Sequence, residues 1–258
     1  MAPNNANSHA PRPFLISFSG IDGAGKTTQI EHLLSYLQKQ GLRVLLLSFW
    51  DNVAVWSRMR SGVGQRVADS SSDHTTLRAF VPKNNKHIRK WYLTAARAGF
   101  YVLDVARLRR LLAGPQIKNY DVVIFDRYIY DQVANILSKS SVARIYGKIL
   151  LKRTPAPDLA FIIDASPEEA FARKPEYPLE FVRKNRQNFL QLQDIVPQLI
   201  VISPALPETV KSEIRRHISR SRIAELSSSK ENTEETEVRA VVRQQTSCSP
   251  RITPTASL

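Results

Sequence analysis

Short apolar runs alternate along this chain with stretches in which apolar residues recur at helical spacing. The apolar runs predict five strands, at residues 14–18, 43–49, 121–125, 159–163 and 199–202. The helical spacing predicts helices at about 26–40, 87–112, 130–137, 167–173, 179–195 and 207–218. Such alternation predicts an α/β fold in which a parallel sheet of about five strands is covered by helices on both faces.

The two ends of the chain differ from its middle. Residues 1–13 and 223–258 are rich in polar residues and proline, and neither segment shows apolar periodicity. We therefore expect a disordered tail at each end and one domain that spans residues 14–222. With 43% hydrophobic residues in the whole chain, a domain of that length can bury a full core.

Composition limits where the protein acts. No segment is long and apolar enough for a membrane span, and the first thirteen residues lack the apolar middle of a secretory signal. The single cysteine, Cys248, lies in the C-terminal tail and can form no internal disulfide. We expect a cytoplasmic protein without a membrane partner.

A glycine-rich segment joins the first predicted strand to the first predicted helix. Its spacing, Gly20 to Gly25 followed by Lys26 and Thr27, is that of a phosphate-binding loop (P-loop). In this motif the backbone amides surround the phosphates of a nucleotide, the lysine reaches the outer phosphates, and the hydroxyl binds Mg²⁺. The motif predicts a P-loop NTPase three-layer sandwich that uses ATP and Mg²⁺. The predicted ATP-binding residues are Gly20, Asp22, Gly23, Ala24, Gly25, Lys26, Thr27 and Thr28.

A second group of polar residues, Asp126, Arg127 and Tyr128, follows the strand at 121–125. Ligands of open α/β sheets bind beyond the carboxyl ends of the strands, so these residues are expected in the same crevice as the P-loop. A carboxylate there can hold Mg²⁺ or its water ligands, and an arginine can bind phosphate with two parallel hydrogen bonds.

The formal net charge of +14 is the third feature to explain. Clustered Lys and Arg residues favour nucleic acid, but no helix-turn-helix, zinc-finger or RNA-binding signature accompanies them. We interpret the charge as a solvated basic face, a few members of which converge on nucleotide phosphates. Nucleic acid is therefore not the expected partner.

A short loop is predicted at about residues 173–178. Ser166 and Glu169 have the spacing of a capping box, with Pro167 at the first helical position, and they predict a helix that runs to Arg173. Prolines at 175 and 178 stop that helix and leave a short loop before the next predicted helix.

Several stretches resemble, in the same order, the signatures of thymidylate kinases. They are residues 18–28, 95–98, 125–128, 164–173, 179–181 and 186–189. The resemblance covers roughly residues 13–220. It implies phosphoryl transfer from ATP to a nucleoside monophosphate, most directly dTMP to dTDP, and it implies a homodimer formed through helices beside the sheet.

The resemblance also implies roles for individual residues. Arg127 is expected to hold the acceptor phosphate and Arg97 to reach the acceptor base. Arg173 is expected to act as the first arginine of a mobile lid at about residues 173–178, whose closure excludes water from the site. The implied catalytic residues are Lys26, Arg127, Asp126 and Arg173; the implied acceptor contacts are Asp22, Asp51, Arg97, Arg127 and Tyr128; the implied metal ligands are Thr27 and Asp126.

Three departures from the family pattern leave the acceptor base open. The lid around Lys174 is short and broken by proline, Leu93 replaces a phenylalanine that commonly stacks on the base, and Ser19 replaces a glutamate. One alternative is a P-loop kinase for a nucleoside or another small phosphate acceptor. The other is a nucleotide-binding switch or a nucleic-acid-linked ATPase, although the guanine-reading motif and the Asp-Glu strand end of those classes are absent from the sequence.

Overall fold

The computed structural model describes residues 12–54, 86–137 and 141–226; for residues 86–98 and 137 it describes the backbone alone. Its strands are β1 (Phe14–Ser19), β2 (Val44–Ser48), β3 (Val122–Asp126), β4 (Leu159–Ile163) and β5 (Leu199–Ile202). Its helices are α1 (Lys26–Lys39), α2 (Lys86–Ala113), α3 (Ile129–Leu137), α4 (Ser141–Arg153), α5 (Pro167–Arg173), α6 (Leu179–Leu190) and α7 (Pro207–Ser219). A π-helical turn (Phe49–Val53) follows β2, and a 3-10 turn (Ile117–Asn119) precedes β3.

All five strands are parallel and lie in the order β2-β3-β1-β4-β5, which confirms the predicted α/β sheet. Strand β1 is central, and every one of its residues is buried. Phe18 of β1 aligns with Asp126 of β3, and Ser19 aligns with Ile162 of β4. The loops that leave β1, β3 and β4 therefore begin side by side at one edge of the sheet.

The helices form two packed groups. Helix α1 packs against α7 and against β1, β2 and β3. Helix α3 packs against α4 and α6, α2 packs against α4, and α5 packs against α6. Helix α4 was not predicted, and α6 ends at Leu190 instead of near residue 195, because the chain enters turns at 191–195 ahead of Pro197.

The packed part of the chain reaches beyond the expected boundary at residue 222. Residues 222–226 are helical, and Ile223 is buried in the core. At the other end, Arg12 pairs with Asp158 at 2.7 Å, next to the start of β1. The expected tails at 1–11 and 227–258, with Cys248, lie outside the described residues. Among the described helices, none is long and apolar enough to cross a membrane.

Candidate functional site

The P-loop follows β1 and leads into α1, as the motif requires. Gly25 takes a left-handed conformation (φ 87°) and is the N-cap of α1. Gly20 and Gly23 also have positive φ, and a β-carbon at either would lie within 2.4 Å of the backbone oxygen of Ile163 or Ala170, respectively. These two glycines therefore allow the loop to pack closely against the end of β4 and against α5.

Lys26 is the first residue of α1, and its side chain is buried beneath the loop. Its ammonium group donates hydrogen bonds to the carbonyl oxygens of Gly20 (2.9 Å) and Ile21 (2.7 Å). Burial lowers the pKa of the Lys26 ammonium to about 8, and the neighbouring positive charge of Arg127 acts in the same direction. A polyanion bound in the loop would offset both effects.

Arg127 reaches the P-loop from the end of β3. It has a left-handed backbone (φ 65°), which is unfavourable for a residue with a β-carbon, and its amide donates to the Phe18 carbonyl of β1 at 2.9 Å. Its guanidinium pairs with Asp22 of the P-loop and with Asp131 of α3, the latter at 3.1 Å. Burial lowers the pKa of the guanidinium, but the two carboxylates outweigh burial and raise it above the ordinary value. The arginine is therefore a fixed cation beside the phosphate loop.

The acidic residues of the site surround these two cations. Burial raises the pKa of the Asp22 carboxyl, but Arg127 and Lys26 outweigh burial, so that the net pKa lies below the ordinary value. Asp126 is the last residue of β3, and its negative charge raises the pKa values of both Lys26 and Arg127. The structure therefore brings Asp22, Lys26, Asp126 and Arg127 together, as predicted from the sequence.

Asp131 belongs to the same group, and sequence reasoning missed it. It lies in the first turn of α3, is buried, and accepts hydrogen bonds from the Ser19 hydroxyl (2.6 Å) and from the Tyr128 amide (3.3 Å). Burial raises the pKa of its carboxyl, against the opposing effect of Arg127. A lone carboxylate among apolar residues, four positions after an arginine, was the signal that could have identified it.

Tyr128 was predicted to contact the acceptor, and the structure contradicts this. Its ring is fully buried and packs against Phe49, Phe125 and Tyr130, and its hydroxyl donates to the Pro155 carbonyl at 2.6 Å. Because the backbone at Arg127 is left-handed, the side chains of Arg127 and Tyr128 point in different directions. Arg127 points towards the loop, and Tyr128 fills the core.

The predicted lid begins beside the P-loop. One terminal nitrogen of Arg173 lies 3.9 Å from the position that a β-carbon on Gly25 would occupy, and Lys174 is close enough to Asp22 to lower its pKa. The predicted capping box is wrong, since the Ser166 hydroxyl donates to Glu168 (2.9 Å) and caps no backbone amide of α5. Glu168 in turn pairs with Arg183 of α6 at 2.9 Å, which joins the two helices around the lid.

Sequence comparisons point to one family. No family model matches the chain. Thymidylate kinases from Thermoanaerobacter sp. and Chlorobaculum tepidum are each 29% identical, over 209 and 227 residues, which cover 76% and 79% of the chain and 91% and 94% of the relatives. A probable thymidylate kinase from Archaeoglobus fulgidus is 26% identical over 211 residues, 79% of the chain and 94% of that relative. By sequence, the chain is therefore similar to thymidylate kinases over most of its length.

One solved structure was also matched, at low similarity. The crystal structure of thymidylate kinase from Ehrlichia chaffeensis covers 81% of the chain and 99% of its own, with 20% identity and a TM-score of 0.49. Because the three relatives named above match in sequence over nearly their whole length, the similarity to thymidylate kinases extends well beyond the P-loop itself.

Three of the remaining residues that the thymidylate kinase resemblance implied are exposed. Thr27 and Thr28 are exposed in the first turn of α1, next to buried Ala24. Asp51 is exposed in the π-helical turn that follows β2. Arg97 lies on α2, but its side chain is outside the described part of the structure, as is that of Leu93. A base contact by Arg97 therefore stays a prediction.

A second ion pair that was not predicted closes the far side of the site. Asp164, just beyond β4, accepts two hydrogen bonds of 2.7 Å from Arg186 of α6. The fork of the guanidinium matches the carboxylate, so the pair holds α6 against the sheet edge from which the P-loop leaves. The lid between α5 and α6 thus has anchored ends.

Proposed function

We propose that the chain transfers the γ-phosphoryl group of ATP to a nucleoside monophosphate, with dTMP as acceptor and dTDP as product. The single observation that carries the proposal is Arg127, held by a strained backbone beside the P-loop lysine at the end of the neighbouring strand. The names of the relatives support the thymidylate acceptor. A different base is the second candidate, which Leu93 favours because a leucine lacks an aromatic face for stacking.

In this mechanism the protein positions charges and forms no covalent intermediate. The loop amides and Lys26 hold the outer phosphates of ATP, and Arg127 holds the acceptor phosphate so that one of its oxygens can attack in line. Arg173 lies beside Gly25 of the loop, which supports the proposal that it neutralises charge on the phosphoryl group in transfer. Asp22 and Asp51 are proposed acceptor contacts on the other side.

Mg²⁺ fits this site only together with a nucleotide. Within the described residues, no group of three or more His, Cys, Asp or Glu side chains is arranged to hold a metal. Magnesium in phosphoryl-transfer sites commonly uses one or two protein ligands and takes the others from phosphates and water. Thr27 and Asp126 would serve as the protein ligands. When bound, the ion would neutralise charge on the phosphates.

The test of the function is an ATP-consumption assay with purified protein and Mg²⁺, run across dTMP, dUMP, UMP, CMP and thymidine. The proposal predicts that dTMP gives the highest kcat/KM and that thymidine, which has no acceptor phosphate, gives none. Preference for another monophosphate would identify the second candidate. Turnover with thymidine alone would contradict the role given to Arg127.

The lowered pKa of Lys26 predicts a proton uptake when ATP binds. Above pH 8 the ammonium of the nucleotide-free protein loses its proton, whereas bound phosphates favour the charged form and raise the pKa again. Calorimetry of MgATP binding at pH 8.5 to 9, in buffers of different ionisation enthalpy, should show uptake of up to one proton, and little at pH 7. The Lys26→Met variant should lose the difference between the two pH values. Equal uptake in that variant would assign the proton to another group.

The family resemblance implied a homodimer through helices beside the sheet, and we further propose that two copies of the chain associate through α2 and α4. These helices pack together, and each exposes apolar side chains: Val102 and Leu103 on α2, and Val142, Ile145 and Ile149 on α4. Val142, Ile145 and Ile149 lie on one face of α4. Analytical ultracentrifugation should show a dimer that Ile145→Asp converts to a folded monomer. A monomeric wild-type protein would exclude this interface.

A further inference from the structure

The buried ion pair of Arg127 differs from its exposed one. Asp131 is almost inaccessible to solvent, whereas the Asp22 side chain is 27% exposed. One terminal nitrogen of Arg127 contacts Asp131, and the other contacts Asp22. A phosphate that enters from the crevice can replace the carboxylate that faces solvent, but it cannot reach the one beneath the guanidinium.

We propose that Asp131 is a positioning residue that fixes the buried side of the Arg127 guanidinium while the exposed side exchanges Asp22 for the acceptor phosphate. This inference rests on the proposed function, because it requires an acceptor with a phosphate. Asp131 does not touch the substrate in this scheme. It acts through Arg127, whose donors are directed by the carboxylate on their far side.

The contacts of Asp131 tie three elements to this single carboxylate. Its second oxygen accepts from Ser19 at the end of β1 and from the Tyr128 amide at the start of α3. The carboxylate therefore accepts three hydrogen bonds and cannot rotate without breaking at least two of them in a buried place. Because Ser19 precedes the first glycine of the P-loop, Asp131 also links the donor loop to the residue that holds the acceptor.

Ser19 itself is explained by this arrangement. Two adjacent buried carboxylates would repel each other, so a hydroxyl is the group that fits beside Asp131. Here α3 provides the carboxylate, and the strand provides a hydroxyl that donates to it at 2.6 Å. Ser19 and Asp131 therefore form a matched pair of donor and acceptor between β1 and α3.

The first test is Asp131→Asn, which keeps the size of the side chain and removes its charge. The acceptor kcat/KM should fall about 10- to 100-fold, mostly through kcat, because Arg127 loses its orientation. The KM for ATP should stay within about twofold of the wild-type value, since the P-loop is intact. Melting temperatures, read with each variant, report whether the protein is folded.

Asp158→Asn is the matched control. It makes the same chemical change in another Arg–Asp pair, at the opposite end of β1 and away from the site. It should leave the kinetic constants for both substrates within twofold. If Asp131→Asn lowers the acceptor KM at unchanged kcat, Asp131 only repels the acceptor, and the positioning role is wrong. If it changes both substrates equally, the role is structural, and the proposal is also wrong.

The second test moves the carboxylate from α3 to β1. Asp131→Ser alone should lower the kcat/KM for the acceptor at least as much as Asp131→Asn does. The double variant Ser19→Glu with Asp131→Ser should have a kcat/KM at least tenfold higher than that of Asp131→Ser. A double variant that folds but has no higher kcat/KM for the acceptor than Asp131→Ser would overturn the matched pair.

Failure of the proposed function would look different. In that case the wild-type protein itself would show no turnover with any nucleoside monophosphate. All variants are therefore compared with the acceptor that the wild-type protein uses best. An active wild type with an unaffected Asp131→Asn variant overturns the positioning role alone.

Discussion

Replacing Lys26 by alanine should lower kcat about 10²- to 10³-fold, with dTMP saturating and ATP in excess. The ammonium is buried and already directed at the loop, so no reorganisation is needed before it meets the phosphates. In water such a charge would be screened, but in a desolvated site it acts at nearly full strength. Steady-state kinetics with both substrates varied would measure the effect.

The loss should come from charge and not from collapse of the loop. Lys26 also bonds the carbonyls of Gly20 and Ile21, so its removal leaves two acceptors without that donor. Lys26→Met fills the same space but, like alanine, supplies neither the charge nor the two hydrogen bonds, so it controls for the space left by the side chain and should be as inactive as the alanine variant. Unchanged melting temperatures of both variants would show that the loop and the fold survive without these two hydrogen bonds. Lys39→Ala removes a lysine from the last turn of the same helix and should keep full activity. Normal turnover by Lys26→Met would contradict electrostatic catalysis by this residue.

The P-loop could be predicted from sequence because its information is local. Gly20 and Gly25 set backbone conformations that few other residues adopt, and Lys26 opens the following helix. The position of Arg127 followed from one further rule, that the carboxyl ends of parallel strands share an edge. Neither inference needed knowledge of how the helices pack.

Asp131 and Tyr128 could not be assigned correctly because their roles depend on tertiary packing. The sequence shows three adjacent polar residues at the end of β3: Asp126, Arg127 and Tyr128. The left-handed turn at Arg127 decides which of them face the crevice. Since Tyr128 is buried and Asp131 is one turn further along, the acidic partner of Arg127 comes from α3. Spacing alone does not distinguish these outcomes.

Helix α4 was missed because its apolar residues do not form one stripe. Val142 and Ile145 are exposed, whereas Gly147 and Leu150 are buried. Apolar positions on two faces weaken the helical period, and a glycine in the middle lowers the helix propensity. The capping box was also predicted wrongly because of tertiary contacts. The Ser166 hydroxyl donates to Glu168 of its own helix instead of to the backbone, and Glu168 pairs with Arg183 of the neighbouring helix α6.

Replacing Arg127 by alanine should have the largest effect of all, a fall of about 10³-fold or more in kcat/KM for the acceptor. The variant loses the cation that binds the acceptor phosphate. It also leaves Asp22 and Asp131 without their common partner, so that the site gains net negative charge where a phosphate must enter. The KM for ATP should rise much less, because Lys26 and the loop amides remain.

The backbone at Arg127 supplies an internal control for this prediction. Its φ of 65° is unfavourable for alanine but accessible to glycine, so Arg127→Gly should be the more stable of the two variants by about 1 kcal/mol. Both variants lack the guanidinium, and both should therefore lose acceptor turnover to the same extent despite their different melting temperatures. If activity instead followed stability, with Arg127→Gly close to wild type, the residue would matter for the shape of the turn, and another group would have to bind the acceptor phosphate.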